Sequence, residues 1–243
     1  MVYVQYNTAA RLPGLADPST IPDDELDDYE VAIERVRKYS PGNPVADARM
    51  RVDGQPYALP YWTAWTHTPR LLSTLLPSGQ ALVAIEGIPG HIRQTDHELI
   101  DLVIGFDTGY WGLHAGHTPN AIAAGVRVEA IEALADGRED LLTDDERQQV
   151  EFIRAVHNGG MTDDIWNRMV ERLGSVRGAI EFAYFVCNLI THHRMMWAFG
   201  VPAVDESEWR AMIAEYKSGR RNPLEATQDY AQASIKRTSQ GSD

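Results

Sequence analysis

The segment from Thr95 to Gly125 constrains the fold more than any other part of the chain. Its first half carries large apolar residues on almost every side, and these are Leu99, Ile100, Leu102, Val103, Ile104 and Phe106. A helix that is apolar all round is stable only when other elements cover it. The segment therefore predicts a buried central helix, which ends near Asp107-Thr108-Gly109 and is followed by a second helix up to Gly125.

The remainder of the chain alternates helical periodicity with breaks that contain Gly and Pro. The predicted helices span residues 23–39, 61–76, 80–87, 127–135, 144–157, 162–173, 176–199 and 205–216. We expect a break near Pro69 and a turn at residues 77–79. No segment has the alternation of a strand, so the predicted class is all-α.

This pattern divides the chain into three parts. We expect an N-terminal arm and helix that pack on the body at residues 1–60, and a helical domain at residues 61–217. Residues 218–243 are polar with few large apolar side chains. Such a composition cannot bury enough apolar surface to order a chain, so we expect a partly disordered tail.

The composition excludes several classes of partner. The chain has a formal net charge of −13 and a single cysteine, Cys187. Binding to nucleic acid or to an anionic membrane surface needs a basic face, so the charge argues against both. One cysteine allows no intramolecular disulfide, and no apolar run reaches the ~18 residues of a membrane span. We therefore expect a cytoplasmic protein.

Only one stretch, around the helix that follows the buried one, has titratable side chains at spacings that could form a catalytic site. His114 and His117 are three residues apart and share a helix face. Tyr110 precedes His114 by four residues and joins that face. Glu98 and His97 lie on the preceding helix, which the break at residues 107–109 folds alongside. This arrangement is typical of an acid–base site.

A structural interpretation competes with the chemical one. Thr95 and Glu98 match a capping box, in which Glu98 only accepts a backbone N–H at the helix start. Thr143 and Glu146 match the same pattern at a later helix. Histidines on an apolar helix also occur as satisfied core or interface residues.

In order and spacing these residues resemble the carboxymuconolactone decarboxylase and alkylhydroperoxidase-D superfamily. Its core pattern is a buried helix that begins with an acidic residue, a turn, and a helix with a histidine eight residues before a glycine. Glu98, His117 and Gly125 hold these positions here. With the later helices and the lead-in at Leu12-Pro13, the resemblance covers roughly residues 10–205.

The resemblance implies different activities in different branches. The peroxidase branch uses a Cys-x-x-Cys pair, at positions that match Tyr110 and Leu113 in this chain. Disulfide-based peroxide reduction needs a thiolate and a resolving cysteine, and Cys187 lies far along the chain. We therefore reject thiol peroxidase activity. The decarboxylase branch, which uses no cofactor, remains.

The decarboxylase branch implies a substrate that is a small carboxylated lactone or keto acid, or an aromatic acid, and an enolate-like intermediate. We assign His117 as the acid–base residue and Glu98 as the partner that orients it. Tyr110 or His114 is placed at the developing oxyanion. The same groups are equally suited to isomerisation, dehydration or cyclisation.

Two further residues are candidates for substrate binding. Trp111 would line the pocket, and Arg194 would hold a substrate carboxylate. Arg194 follows the adjacent pair His192 and His193, which we interpret as structural because at most one of them shares a given helix face.

Two alternatives to a cofactor-free enzyme stay open. His114 and His117, with Glu98 or His97, could supply three ligands to a metal, although the resemblance implies none. The chain could also be a non-catalytic bundle that binds a small hydrophobic or acidic ligand. Members of the superfamily usually assemble as rings, so the resemblance implies a homo-oligomer, with the Trp and Tyr residues of 57–65 as candidate contacts.

Overall fold

The computed structural model describes residues 15–38, 51–52, 55–56, 60–109, 111–201 and 206–222. For residues 38, 51–52, 55–56, 60 and 111–116 it describes the backbone alone. Most of the predicted tail and the first 14 residues of the predicted arm lie outside the described residues, as does Tyr110.

The described residues form helices almost throughout, which confirms the all-α prediction. The helices are α1 Leu26–Lys38, α2 Pro60–Trp65, α3 Pro69–Ile85, α4 Gln94–Thr108, α5 Trp111–Ala124, α6 Val128–Asp136, α7 Asp144–Asn158, α8 Asp163–Leu173, α9 Val176–Phe199 and α10 Glu206–Lys217. Short 3-10 turns lie at Pro18–Thr20, Asp23–Glu25 and Glu139–Leu141. The sequence did not indicate one element, a two-residue antiparallel pair of β1 Arg51–Val52 and β2 Gln55–Pro56.

Prolines have two different effects on the helices: one begins a helix, and two lie inside a helix without ending it. The break near Pro69 is confirmed, because α2 ends at Trp65 and Pro69 is the first residue of α3, a position where the missing N–H costs nothing. The turn predicted at residues 77–79 is wrong, because α3 continues through Pro77 to Ile85. Helix α5 likewise continues through Pro119.

The chain divides into two compact units. The first holds the described residues of Met1–Ala81 and Arg194–Val204, and the second holds those of Leu82–His193 and Asp205–Leu224. In the first unit, Tyr61 and Trp65 are almost fully buried and meet edge to face at 5.9 Å between ring centroids. Phe199 completes this aromatic cluster at 5.6 Å from Trp65.

The second unit is built around α4, as the apolar segment predicts. All ten residues from Asp96 to Gly105 are buried, and α4 packs against α5, α6 and α7. Phe152 and Phe182 meet edge to face in the same core, at 5.4 Å between centroids. The helix therefore has no solvated face, and any polar side chain it carries must find partners inside the protein.

The starts of α4 and α7 test the two predicted capping boxes. At α7 the box is confirmed, since Glu146 accepts the Thr143 N–H at 2.8 Å and Thr143 accepts the Glu146 N–H at 3.3 Å. At α4 it is wrong. Helix α4 begins earlier, so Asp96 occupies the capping position and accepts the Arg93 N–H at 2.8 Å. Glu98 is therefore not needed at the helix start.

Among the described residues, no single helix is long and apolar enough to cross a membrane, and α8 with α9 passes that test only as a pair bent by 112°.

Candidate functional site

Helix α4 carries three titratable side chains on one buried face. His97 and Asp101 are one turn apart, and Glu98 is three residues before Asp101, so all three point in similar directions. Their exposed fractions are 8%, 1% and 2% for His97, Glu98 and Asp101. Burying a charged group is costly unless it is paired, so these groups depend on partners from other elements.

His117 on α5 is the partner of both carboxylates. Gly109 ends α4 in the left-handed region with φ 70°, a conformation that glycine adopts without strain, and α5 then packs against α4. The His117 Nδ1 atom lies 3.0 Å from Glu98 Oε2 and 3.1 Å from Asp101 Oδ2. The His117 side chain is 28% exposed. Its other nitrogen, Nε2, has no partner among the described residues.

Behind His117 the Asp101 carboxylate contacts two more imidazoles. Asp101 Oδ2 lies 3.4 Å from His97 Nε2, and Asp101 Oδ1 lies 3.3 Å from His193 Nε2. His97 Nδ1 lies 2.6 Å from Glu86 Oε1. The His97 ring packs edge to face on Phe185, at 4.5 Å between centroids. The site is therefore the outer end of a buried cluster of three carboxylates and three imidazoles.

The surroundings raise the pKa of two of these histidines. Burial alone would lower the pKa of His117, but the charge of Asp101 and the hydrogen bond to Glu98 outweigh burial and raise it. Burial also opposes the charge of His97, yet contacts with Asp101 and Glu86 hold its pKa well above its usual range. Each nitrogen of His97 faces a carboxylate, so His97 is an imidazolium, and His117 favours the same charged form.

The pKa values of His193 and Asp101 are both lowered, so a neutral histidine contacts an ionised carboxylate. Burial lowers the pKa of His193 despite its contact with Asp101, so His193 is neutral and donates Nε2–H to that carboxylate. Burial would raise the pKa of Asp101, but His117, His193 and His97 together hold it well below its usual range. Asp101 is therefore ionised, with histidine nitrogens within 3.4 Å of both carboxylate oxygens.

The structure brings two of the predicted site residues together, Glu98 and His117. Tyr110 lies outside the described residues, and for Trp111 and His114 only the backbone, on α5, is described. Arg194 is exposed on α9 and belongs to the first compact unit. The roles assigned to all six predicted site residues stay predictions.

Three residues of the cluster, Asp101, Glu86 and His193, are not among the predicted site residues. Asp101 carried a usable signal, because a charged residue in the middle of an all-round apolar helix must have a buried partner. Glu86 lies just after α3 and His193 on α9, and no local spacing connects either to α4.

Three of these residues could also hold a cation. Ligand atoms of Glu98, Asp101 and His117 all lie within 4.8 Å of one another. Two carboxylate oxygens and one imidazole nitrogen are a donor set that divalent zinc accepts. This set differs from the predicted one, in which His114 was a ligand.

Comparisons with known proteins identify the fold. No protein-family model matches the chain, and no curated protein matches it. A solved structure does match: the crystal structure of an alkylhydroperoxidase AhpD core, an uncharacterized peroxidase-related protein from Ralstonia eutropha JMP134. The two chains are 12% identical with a TM-score of 0.56, over 81% of this chain and 93% of that one.

At 12% identity the likeness concerns the fold, because one fold hosts many activities. It agrees with the resemblance found in the order of Glu98, His117 and Gly125. The single cysteine, Cys187, is exposed on α9 and provides no Cys-x-x-Cys pair. This chain is therefore a protein of the alkylhydroperoxidase-D-like fold that carries one cysteine.

Proposed function

We propose that the chain is an acid–base enzyme that needs no cofactor and acts on a small carboxylated lactone or keto acid through an enolate-like intermediate. The observation that carries the proposal is the position of His117. Its Nδ1 lies 3.0 Å from the buried Glu98 carboxylate, while its side chain is 28% exposed. An imidazole that is bound by a carboxylate at Nδ1 and is partly exposed is suited to proton transfer.

In the proposed reaction His117 acts as the acid after CO₂ has left the substrate. In a β-keto acid, the bond between the carboxylate carbon and the α-carbon breaks, CO₂ leaves, and the bonding electrons form an enolate. The Nε2–H of the His117 imidazolium then donates its proton to the α-carbon, and the carbonyl forms again. Neutral His117 takes a proton from solvent and the cycle closes. The raised pKa of His117 supports this order, because the charged form is the proton donor.

Glu98 has two effects in this scheme. Its carboxylate accepts Nδ1–H, so Nε2 is the nitrogen that exchanges protons with the substrate. Its negative charge stabilises the imidazolium, and burial on α4 keeps water from weakening that interaction. Isomerisation, dehydration and cyclisation through an enolate use the same groups, and a substrate panel separates them from decarboxylation.

A metal-dependent reaction is the second candidate, because Glu98, Asp101 and His117 also have the spacing of a cation site. The test is CO₂ release from a panel of β-keto acids and unsaturated lactone acids, with and without a chelator. We expect turnover that survives the chelator, and metal analysis that finds less than one ion per chain. Turnover that the chelator abolishes and Zn²⁺ restores would favour the metal-dependent reaction. No turnover by a folded protein would favour a ligand-binding bundle.

The pH dependence of the reaction is a further prediction. The folded pKa of His117 is raised, so the active imidazolium is present below that pKa and is lost as pH rises through it. We expect kcat/KM to fall with a midpoint above ~6.5, the ordinary value for histidine. In Glu98→Gln one of the groups that raise this pKa is gone, so the midpoint moves to lower pH. A midpoint that is the same in both proteins would contradict the assignment.

A further inference from the structure

Asp101 is the point on which the buried side chains of the site converge. Its two carboxylate oxygens lie within 3.4 Å of nitrogens from three histidines, His97, His117 and His193. These histidines come from α4, α5 and α9. Asp101 is 2% exposed, and its contact with His117 is made to Nδ1. Its effect on any reaction must therefore act through His117.

One N–H faces two carboxylates at the centre of this cluster. His117 Nδ1 carries a single proton, and both Glu98 Oε2 and Asp101 Oδ2 lie within 3.1 Å of that nitrogen. The hydrogen bond is made to Glu98, while Asp101 Oδ2 accepts no hydrogen bond of full geometry from the described residues. Asp101 is thus a charge that attracts the proton on Nδ1 and lies beside the Glu98 bond.

Other contacts fix the Asp101 carboxylate in turn. His193 contacts Oδ1 at 3.3 Å and is 1% exposed. His97 faces Oδ2 and is itself held at its other nitrogen by Glu86, at 2.6 Å. The Phe185 ring packs against His97. The carboxylate is therefore held by a hydrogen bond at Oδ1 and by the nearby His97 ring at Oδ2.

We propose that Asp101 is a positioning residue for His117: with Glu98 it holds the ring with Nδ1–H pointing into the protein, so that Nε2 is always the outward nitrogen. The catalytic half of this inference rests on the proposed function, whereas the orientation of the ring does not. We expect this carboxylate to contribute ~10- to 100-fold in activity, by analogy with carboxylates that orient metal-ligating histidines.

The test compares two Asp→Asn variants on the same helix. Asp101→Asn keeps the shape of the side chain and removes its charge. The matched control is Asp107→Asn, which removes a carboxylate that pairs with Arg154 at 2.7 Å, away from His117. We expect kcat to fall ~10- to 100-fold in Asp101→Asn with KM little changed, and the kcat of the control to equal that of the wild type.

Imidazole ¹⁵N NMR of the same proteins reads the ring without any substrate. In the wild type and in the control, His117 should show one species with a protected Nδ1–H. In Asp101→Asn that proton should exchange with solvent faster, and its signal should broaden. An unchanged His117 spectrum in Asp101→Asn would overturn the inference, even if no substrate is found. A changed spectrum with unchanged kcat would overturn the catalytic half alone.

A second variant covers the case in which Asp101→Asn does not fold. His193→Leu leaves Asp101 in place but removes the N–H that holds its Oδ1. We expect a smaller change of the same kind in the His117 spectrum. A folded His193→Leu protein with a wild-type His117 spectrum would contradict the proposed chain of contacts.

Discussion

Replacement of His117 by Gln is expected to lower kcat/KM by ~10²- to 10⁴-fold, the usual contribution of a general acid–base residue. Glutamine has a similar length and can still donate an amide N–H to Glu98, so the contact between α5 and α4 is retained. It cannot be protonated or deprotonated near neutral pH. The loss therefore appears in the rate of the folded protein. The unfolding temperature falls as well, because the buried carboxylates of Glu98 and Asp101 lose their positively charged partner.

The matched control for this variant is His67→Gln, which changes an exposed histidine of the first compact unit. Its kcat/KM should equal that of the wild type across the substrate panel. Steady-state kinetics and thermal unfolding of the three proteins are sufficient for the comparison. A His117→Gln protein that turns over at the wild-type rate would exclude His117 as the proton donor.

Replacement of Asp96 by Ala is expected to lower the free energy of unfolding by ~3–5 kcal/mol, because it breaks a buried ion pair and removes a helix cap. Asp96 is fully buried and accepts hydrogen bonds from the Arg93 backbone at 2.8 Å and from Arg172 Nη2 at 2.8 Å. The variant removes the cap of α4 and one of the two partners of Arg172, the other being Asp145. Urea denaturation measures the effect.

Two comparisons identify the source of this loss. Asp144→Ala also removes an acidic residue from the first turn of a helix and breaks a contact with Arg147. Asp144 is fully exposed, so we expect no measurable change. In Asp96→Asn the amide oxygen still caps α4, so the loss should be smaller than in Asp96→Ala. Equal losses in Asp96→Ala and Asp144→Ala would show that burial of Asp96 is unimportant.

The buried position of α4 could be predicted because it follows from one local property. The residues from Leu99 to Phe106 are apolar on nearly every side, and such a helix has only one stable environment. A short break at Gly109 also predicts that α4 and α5 lie side by side, and the family resemblance then implies the pairing of Glu98 with His117. Both inferences depend on neighbours in the sequence.

The remainder of the cluster could not be predicted in the same way. Asp101 and His193 are 92 residues apart, and helical periodicity does not tell which of two adjacent histidines faces the core. The Thr95 capping box was wrong for a related reason. Asp96 competes with Glu98 for the helix start, and its additional contact with Arg172, 76 residues away, is invisible in the local pattern.

The most direct test of the account is the incorporation of solvent deuterium into product during CO₂ release in D₂O. Wild type and His117→Gln are compared on each substrate that turns over. We predict that the wild type releases CO₂ and places one deuterium at the α-carbon, and that His117→Gln loses both together. Release of CO₂ by His117→Gln at the wild-type rate, with the same deuterium content in the product, would contradict the role of His117 as the proton donor.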